Sequence, residues 1–112
     1  STAQAGFTTN FPHAMDESAH HMHYIIQKCL DDGIAVIEPS QVAEDAWVQE
    51  IIDLSRISES FQADCTPGYY NNEGQPNPTS TQNSAYGKGP IPFFQRMAAW
   101  REEGSMAGLE QN

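Results

Sequence analysis

The strongest constraint on this chain is a periodic apolar pattern near its middle. Trp47, Ile51, Leu54, Ser58 and Phe61 follow one another at steps of four, three, four and three residues, the repeat of one helical face. Ser40 stands where an N-cap belongs, with Glu44 and Asp45 in the turn behind it, where the helix dipole favours negative charge. The pattern predicts a helix over 41–61, its apolar side widened by Ile52. A second pattern precedes it. Ala19, Met22, Ile26, Cys29 and Leu30 recur at three- and four-residue steps behind Asp16 and Glu17. Gly33 follows directly, suited to close a helix in the left-handed conformation, and a helix over 15–32 is expected. A third helix, over 91–103, is expected between Pro90 or Pro92, which suit a first turn, and Gly104, with Phe93, Phe94, Met97 and Trp100 as its apolar side.

Between these helices the signals are of other kinds. Ile34 to Ile37 is a short β-branched run stopped by Pro39, room for a brief strand only. Residues 63–89 show no helical period and carry Pro67, Gly68, Gly74, Pro76, Pro78, Gly87 and Gly89 among several Asn. Stretches of that length without regular structure are uncommon in compact domains and are usually functional or disordered. The lead from Ser1 to Pro12 bears no charged side chain and starts abruptly, as if the chain began within a fold. The expected class is mainly α with a short β element and a long loop, a single domain or fragment over 1–112.

Charge narrows the possible partners. Fifteen acidic against five basic residues among 112 give a net charge of −10. Phosphate neutralisation needs clustered Lys and Arg, so nucleic acid is disfavoured, and so is an anionic membrane surface. No apolar run approaches the ~20 residues of a membrane span. Cys29 and Cys65 fit no zinc or redox spacing, which reads as reduced thiols in the cytoplasm.

The His, Cys and Gly residues form no recognisable catalytic constellation. His20 and His23 lie three apart with His13 nearby, but a site needs further ligands and groups that orient the rings. An exposed His-bearing helix face is the reading, with no metal. Neither Cys has a basic neighbour to lower its pKa, and no GxSxG, P-loop or GxGxxG pattern occurs. One stretch stands apart, CTPGYYNNEGQP from Cys65 to Pro76. Its paired Tyr and Asn residues can lie over a planar cofactor, or can form a surface turn that tolerates positive φ.

Three runs resemble one family: EDAWV (Glu44 to Val48), CTPGYYNNEG, and GPIPFFQRMAAWREEGSMAGLE. They look like the C-terminal end of a flavin-dependent Baeyer–Villiger monooxygenase, and TTNF (Thr8 to Phe11) is similar to a stretch after a GP turn of that family. The likeness covers essentially the whole chain but only about the last fifth of a full-length member. It implies an α/β flavoprotein that uses FAD, NADPH and dioxygen to turn ketones into esters or lactones. This segment would then be the C-terminal part of the FAD-binding domain, without catalytic residues of its own. The rival is a stand-alone, non-catalytic small domain derived from such a segment, binding a small ligand or self-associating.

Residue by residue, the resemblance implies that Gly6, Phe7 and Phe11 line the ketone pocket. Thr9, Asn10 and Phe11 fall at a turn beside the flavin. Residues 66–74 correspond to a mobile loop over the nicotinamide cofactor, with Thr66, Tyr69, Tyr70, Asn71 and Asn72 as contacts. In one branch of the family that loop bears a Trp, and Thr66 stands at its place here, so Tyr69 or Tyr70 is assigned the stacking. Without the rest of the flavoprotein, the large apolar groups Phe7, Phe11, Trp47, Phe61, Phe93, Phe94 and Trp100 are expected to drive a homodimer. The isolated chain is also expected to hold no FAD, whose phosphates need a glycine-rich turn at a helix N-terminus. Titrating the 112-residue chain with FAD should leave flavin fluorescence unchanged, whereas quenching in the micromolar range would contradict this.

Overall fold

The computed structural model describes residue 8 and residues 10–55, 64–75 and 81–111. Their order is α1 (Phe11–Asp32), β1 (Ile37–Pro39), α2 (Gln41–Leu54), α3 (Pro90–Glu103) and β2 (Leu109–Gln111). Two 3-10 turns, Tyr69–Gly74 and Thr81–Asn83, interrupt the stretch between α2 and α3. The expected class, helical with a short β element and a long loop, is the one observed.

Helix α1 starts four residues before the expected boundary because Asn10 caps it. The Asn10 side chain accepts the backbone N–H of His13 at 3.1 Å, and Pro12 fits the first turn, where no N–H partner is needed. Asp16 and Glu17 therefore lie beyond the first turn, which holds no acidic residue. At the far end Gly33 takes φ 69° and the chain closes back on the Cys29 carbonyl, as its position predicted. Helix α2 is capped by Ser40, whose hydroxyl accepts from Ala43 N–H at 3.2 Å. Gln41, Gln49 and Gln27 each donate to an Asp four residues on at 2.8 Å, pairs that support a solvated helical face.

Two further boundaries differ from expectation. The second helix ends at Leu54 rather than at Phe61: Ser55 is extended, with φ −59° and ψ 127°. The 81–87 segment crosses α2 at this point. Ser55 Oγ meets Ser84 Oγ at 3.2 Å, and the backbone of Gly87 lies against the Leu54 carbonyl. Residues 56–61 lie outside the described residues. The strand is likewise displaced from the expected Ile34–Ile37 to Ile37–Pro39, since its position is set by a partner and not by its own β-branched run. It pairs antiparallel with β2, Ile37 opposite Gln111 and Pro39 opposite Leu109. Pro39 is tolerated because this is an edge strand, where its missing donor costs no ladder bond. Ser40 N–H continues the pairing to the Gly108 carbonyl at 2.9 Å.

The apolar stripes of the two long helices meet different fates. On α2, Trp47, Ile51 and Leu54 face inward as read, with Ile51 1% exposed. On α1 the expected stripe faces outward: Ala19 is exposed, and Met22, Ile26 and Leu30 are 62%, 55% and 72% exposed. A different, polar and aromatic face of α1 meets α3. Ala14 is buried there, the His13 ring stands edge-on to Phe94 at 5.1 Å, and His21 and Tyr24 pack on Trp100 at 5.1 and 6.1 Å. The core is small, Ala14, Ile51, Tyr86, Phe93 and Phe94, with Trp47, Leu54 and Met97 against it. The end of the expected long loop belongs to it, for Ser84 and Tyr86 are buried.

A methyl group on Gly87 would sit 1.6 Å from the Leu54 carbonyl oxygen, so Gly87→Ala forces the 81–87 segment off α2. We expect a loss of about 3 kcal/mol, the upper end of ordinary overpacking. Gly33→Ala meets open space and carries only the left-handed backbone penalty of about 1–2 kcal/mol. Urea midpoints of the two variants check the order; a smaller loss for Gly87→Ala would show that this crossing is not close-packed.

Candidate functional site

The loop from Asp64 to Gln75 is built around one amide. Asn71 is 5% exposed, and its Oδ1 accepts the backbone N–H of Gly68 at 2.8 Å and of Gly74 at 3.3 Å. Its Nδ2 donates to the carbonyls of Cys65 at 3.2 Å and Thr66 at 3.1 Å. Glu73 N–H and Asn71 N–H both return to the Gly68 carbonyl, at 2.9 and 3.2 Å. An Asn fits because one planar group then supplies two donors and an accepting oxygen to four backbone groups. Glu73 and Gly74 both take positive φ, 57° and 75°, so the backbone doubles back and Pro67 packs beneath Gly74. The residues that the sequence marked as contacts are thereby drawn together in one turn. Thr66 is exposed, Tyr69, Tyr70 and Asn72 lie along the 3-10 turn, and Asn71 holds the turn in shape.

The second marked region is the start of α1. Asn10 is its cap, and Thr8 Oγ1 accepts Asn10 N–H at 3.2 Å, so TTNF works here as a helix start. Phe11 is 60% exposed at the first helical position. Gly6, Phe7 and Thr9 lie outside the described residues. Of the histidines, His20 and His23 are exposed as expected. His21 is not: burial, and then the Arg101 guanidinium beside it, hold its imidazole below its ordinary pKa. Arg101 also reaches Glu17 at 3.8 Å. Among the described residues, no three His, Cys, Asp or Glu side chains converge as metal ligands.

A cluster that the sequence did not reveal joins α2 to α3. The Trp47 and Tyr86 rings are stacked, 5.9 Å apart and 5° from parallel, and both touch Phe93. The Arg96 guanidinium lies 5.0 Å over Trp47. Glu50 accepts from Arg96 and, at 3.1 Å, from the Tyr86 hydroxyl. Two of the runs singled out by resemblance, EDAWV and GPIPFFQR, thus meet in space. The available signal was chemical: Arg96 is one of five cations, set on an apolar helix start where only a carboxylate or a ring face would hold it. Beside the cluster lies a cleft of about 930 Å³ bordered by Met22, Ile25, Trp47, Phe93, Met97 and Trp100.

Relatives share this sequence over nearly its full length. The chain is 40% identical to pentalenolactone D synthase of Streptomyces exfoliatus over 98% of its own length. It is 34% identical to an FAD-binding monooxygenase of Hypomyces subiculosus, again over 98%, and 37% identical to a Baeyer–Villiger monooxygenase of Streptomyces coelicolor over 89%. The chain belongs to the Baeyer–Villiger monooxygenase family, as a C-terminal segment. It spans about a fifth of the length of these relatives: 19%, 18% and 16% respectively. No family model matches the chain, and no solved structure matches it.

Asn71→Ala removes the partner of four backbone groups at once, and each buried unpaired group costs about 1–3 kcal/mol. The turn should open while the helices persist, because none of its described side chains belongs to the aromatic core. Limited proteolysis should cut within 64–75 at least roughly tenfold faster, with helical circular dichroism unchanged. Asn71→Asp keeps the acceptor and loses the donor, and should fall between the two. Wild-type cutting rates for Asn71→Ala would show that the turn does not depend on this amide.

Proposed function

We propose that the intact protein is an FAD- and NADPH-dependent monooxygenase that converts ketones to esters or lactones. This segment then supplies pocket wall from Gly6, Phe7 and Phe11 and a cofactor lid from residues 66–74. The observation that carries the reading is the identity of 40% to pentalenolactone D synthase over 98% of this chain.

The residues present fit these groups unequally. Among the described residues one glycine-bearing turn, Gly87–Gly89, leads into a helix, but it lacks the GxGxxG spacing and Pro90 and Pro92 leave the first turn of α3 short of N–H donors; at α1 the Asn10 side chain already takes the His13 N–H. The described helix starts therefore do not suit the FAD phosphates, and the flavin is held by other parts of the enzyme. When bound, it supplies the redox chemistry. No Lys or Arg occurs between Arg56 and Lys88, so the loop cannot take the phosphates of NADPH by charge. Its assets are the two adjacent rings of Tyr69 and Tyr70 and the Thr66 hydroxyl, which suit the planar nicotinamide end. The chain's own part in the reaction is to close over that end, exclude water and fix its orientation. Asn71 acts by holding the turn, Gly6, Phe7 and Phe11 by lining the pocket, and Thr9, Asn10 and Phe11 by forming the turn beside the flavin.

Each ring face laid on the nicotinamide should contribute on the order of 1 kcal/mol. Replacing Tyr69 and Tyr70 together by Ala in the intact enzyme should therefore weaken NADPH binding roughly ten- to thirtyfold, at ~1.4 kcal/mol per factor of ten. The melting temperature should hardly move, since loop positions away from the core cost about 0.5 kcal/mol or less. Unchanged NADPH affinity with a large drop in melting temperature would assign the tyrosines to the core and withdraw the lid.

A further inference from the structure

The contact of α1 with α3 contains a pairing that only a neutral histidine can make. His21 is half-buried there, its ring 5.1 Å from that of Trp100, and its Nδ1 lies 3.4 Å from the Arg101 guanidinium. A guanidinium carries donors only, so Nδ1 must be the unprotonated acceptor. A proton on Nδ1 would remove that acceptor and set two cations side by side. The Arg101 side chain is only 19% exposed, so water screens such a repulsion weakly. The other carboxylates nearby are engaged or stand off. Glu17, one turn earlier on α1, is shared by Arg101 at 3.8 Å and His13 at 3.7 Å. Across the cleft that His21 borders, Glu50 of α2 accepts from Arg96 and from the Tyr86 hydroxyl, and Glu44 lies exposed. Tyr24 packs on the same Trp100 ring.

We propose that His21 and Arg101 form an acid-sensitive latch: protonation of His21 releases α1 from α3, while the packing of α3 on α2 persists. The sign follows from which state takes up the proton. The closed contact disfavours it and the freed helix does not. The latch is therefore fully closed above the ordinary His pKa of about 6.5 and weakens as the pH falls below it. Burial, and then Arg101, hold the imidazole below its ordinary pKa, in the same direction. All four histidines of the chain lie on α1, and the other three do not act alike. His20 and His23 are exposed and gain protons equally in both states. His13 faces Glu17, so its protonation tightens α1 instead. The contact between α2 and α3 is made by Trp47, Glu50, Tyr86, Phe93 and Arg96 and contains no histidine. Asn10 caps α1, so movement of the helix carries Asn10 and Phe11 with it. The inference rests on this contact alone and not on the flavin, the nucleotide or the ketone.

The test is amide hydrogen exchange, read by mass spectrometry, on the full-length protein that carries this segment. Rates at about pH 7.5 and about pH 5.5, on either side of the ordinary His pKa, are each divided by the intrinsic rate at that pH. Peptides from α1 should lose roughly three- to tenfold in protection at the lower pH, tenfold being the ceiling for one proton over one pH unit. Peptides from α2 should change by less than about twofold. His21→Gln keeps an accepting oxygen for Arg101 and cannot titrate, so its α1 peptides should hold their protection in acid. His13→Gln should still lose it. Arg101→Gln keeps His21 and removes the cation, and should show a smaller loss than the wild type; it decides the matter if His21→Gln folds poorly. Constant protection of α1 overturns the proposal. So does a parallel loss in α1 and α2, a loss that persists in His21→Gln, or an undiminished loss in Arg101→Gln. The readout is independent of activity, so a protein that fails to oxidise ketones can still pass it.

Discussion

The docking of α3 on α2, from which the core is built, hangs on the stack of Trp47 against Tyr86. The two rings lie nearly parallel, and each belongs to a part of the chain that could not otherwise find the other. Trp47 is in the middle of α2, and Tyr86 is in the irregular approach to α3. Arg96 covers the outer face of Trp47, and Glu50 ties Arg96 to the Tyr86 hydroxyl. Aromatic pairs of this kind contribute about 0.5–1.5 kcal/mol beyond the area they bury. The larger effect is geometric. With Tyr86 fixed, Gly87 is brought against the end of α2, and Gly89 and Pro90 then start α3 in the one direction that buries Phe93 and Phe94.

The two helix contacts differ in kind, and the difference has functional meaning. The contact between α2 and α3 is apolar and aromatic. The contact between α1 and α3 is mixed: Arg101 lies between Glu17 and His21, with ring edges on either side. Partly exposed ion pairs contribute little, about 0–1 kcal/mol. Helix α1 is thus held to this segment by modest forces, while its strongest apolar surface is turned elsewhere. The loop around Asn71 is organised on a third principle, a frame of hydrogen bonds from one buried amide to four backbone groups, which fixes its shape locally.

The helices were legible in the sequence because their periodicity and caps are local. Ser40, Gly33 and Gly104 mark their ends just as their chemistry dictates. What was not legible depended on partners distant in the chain. Nothing near Ser55 announces that α2 stops there; the reason lies in Ser84 and Gly87. Nothing in Leu109–Gln111 reads as a strand until Ile37–Pro39 lies beside it. The stripe on α1 was read correctly as a face, but periodicity says only that such a face exists and not whether the same segment covers it. For the loop, composition marked the stretch, yet nothing in it singled out Asn71 as the buried amide that holds the turn.

The pairing of β1 with β2 imposes an order in time on the making of this segment. Ile37 meets Gln111 and Pro39 meets Leu109, so β1 is synthesised well before the strand that pairs with it. Until that strand emerges, β1 presents an unpaired edge next to the start of α2, a state that invites pairing with other chains. A message cut short within this clip would yield a polypeptide with its helices and aromatic core encoded in full but its closure missing. Such a product would be a substrate for quality control, not a slightly weaker version of the enzyme.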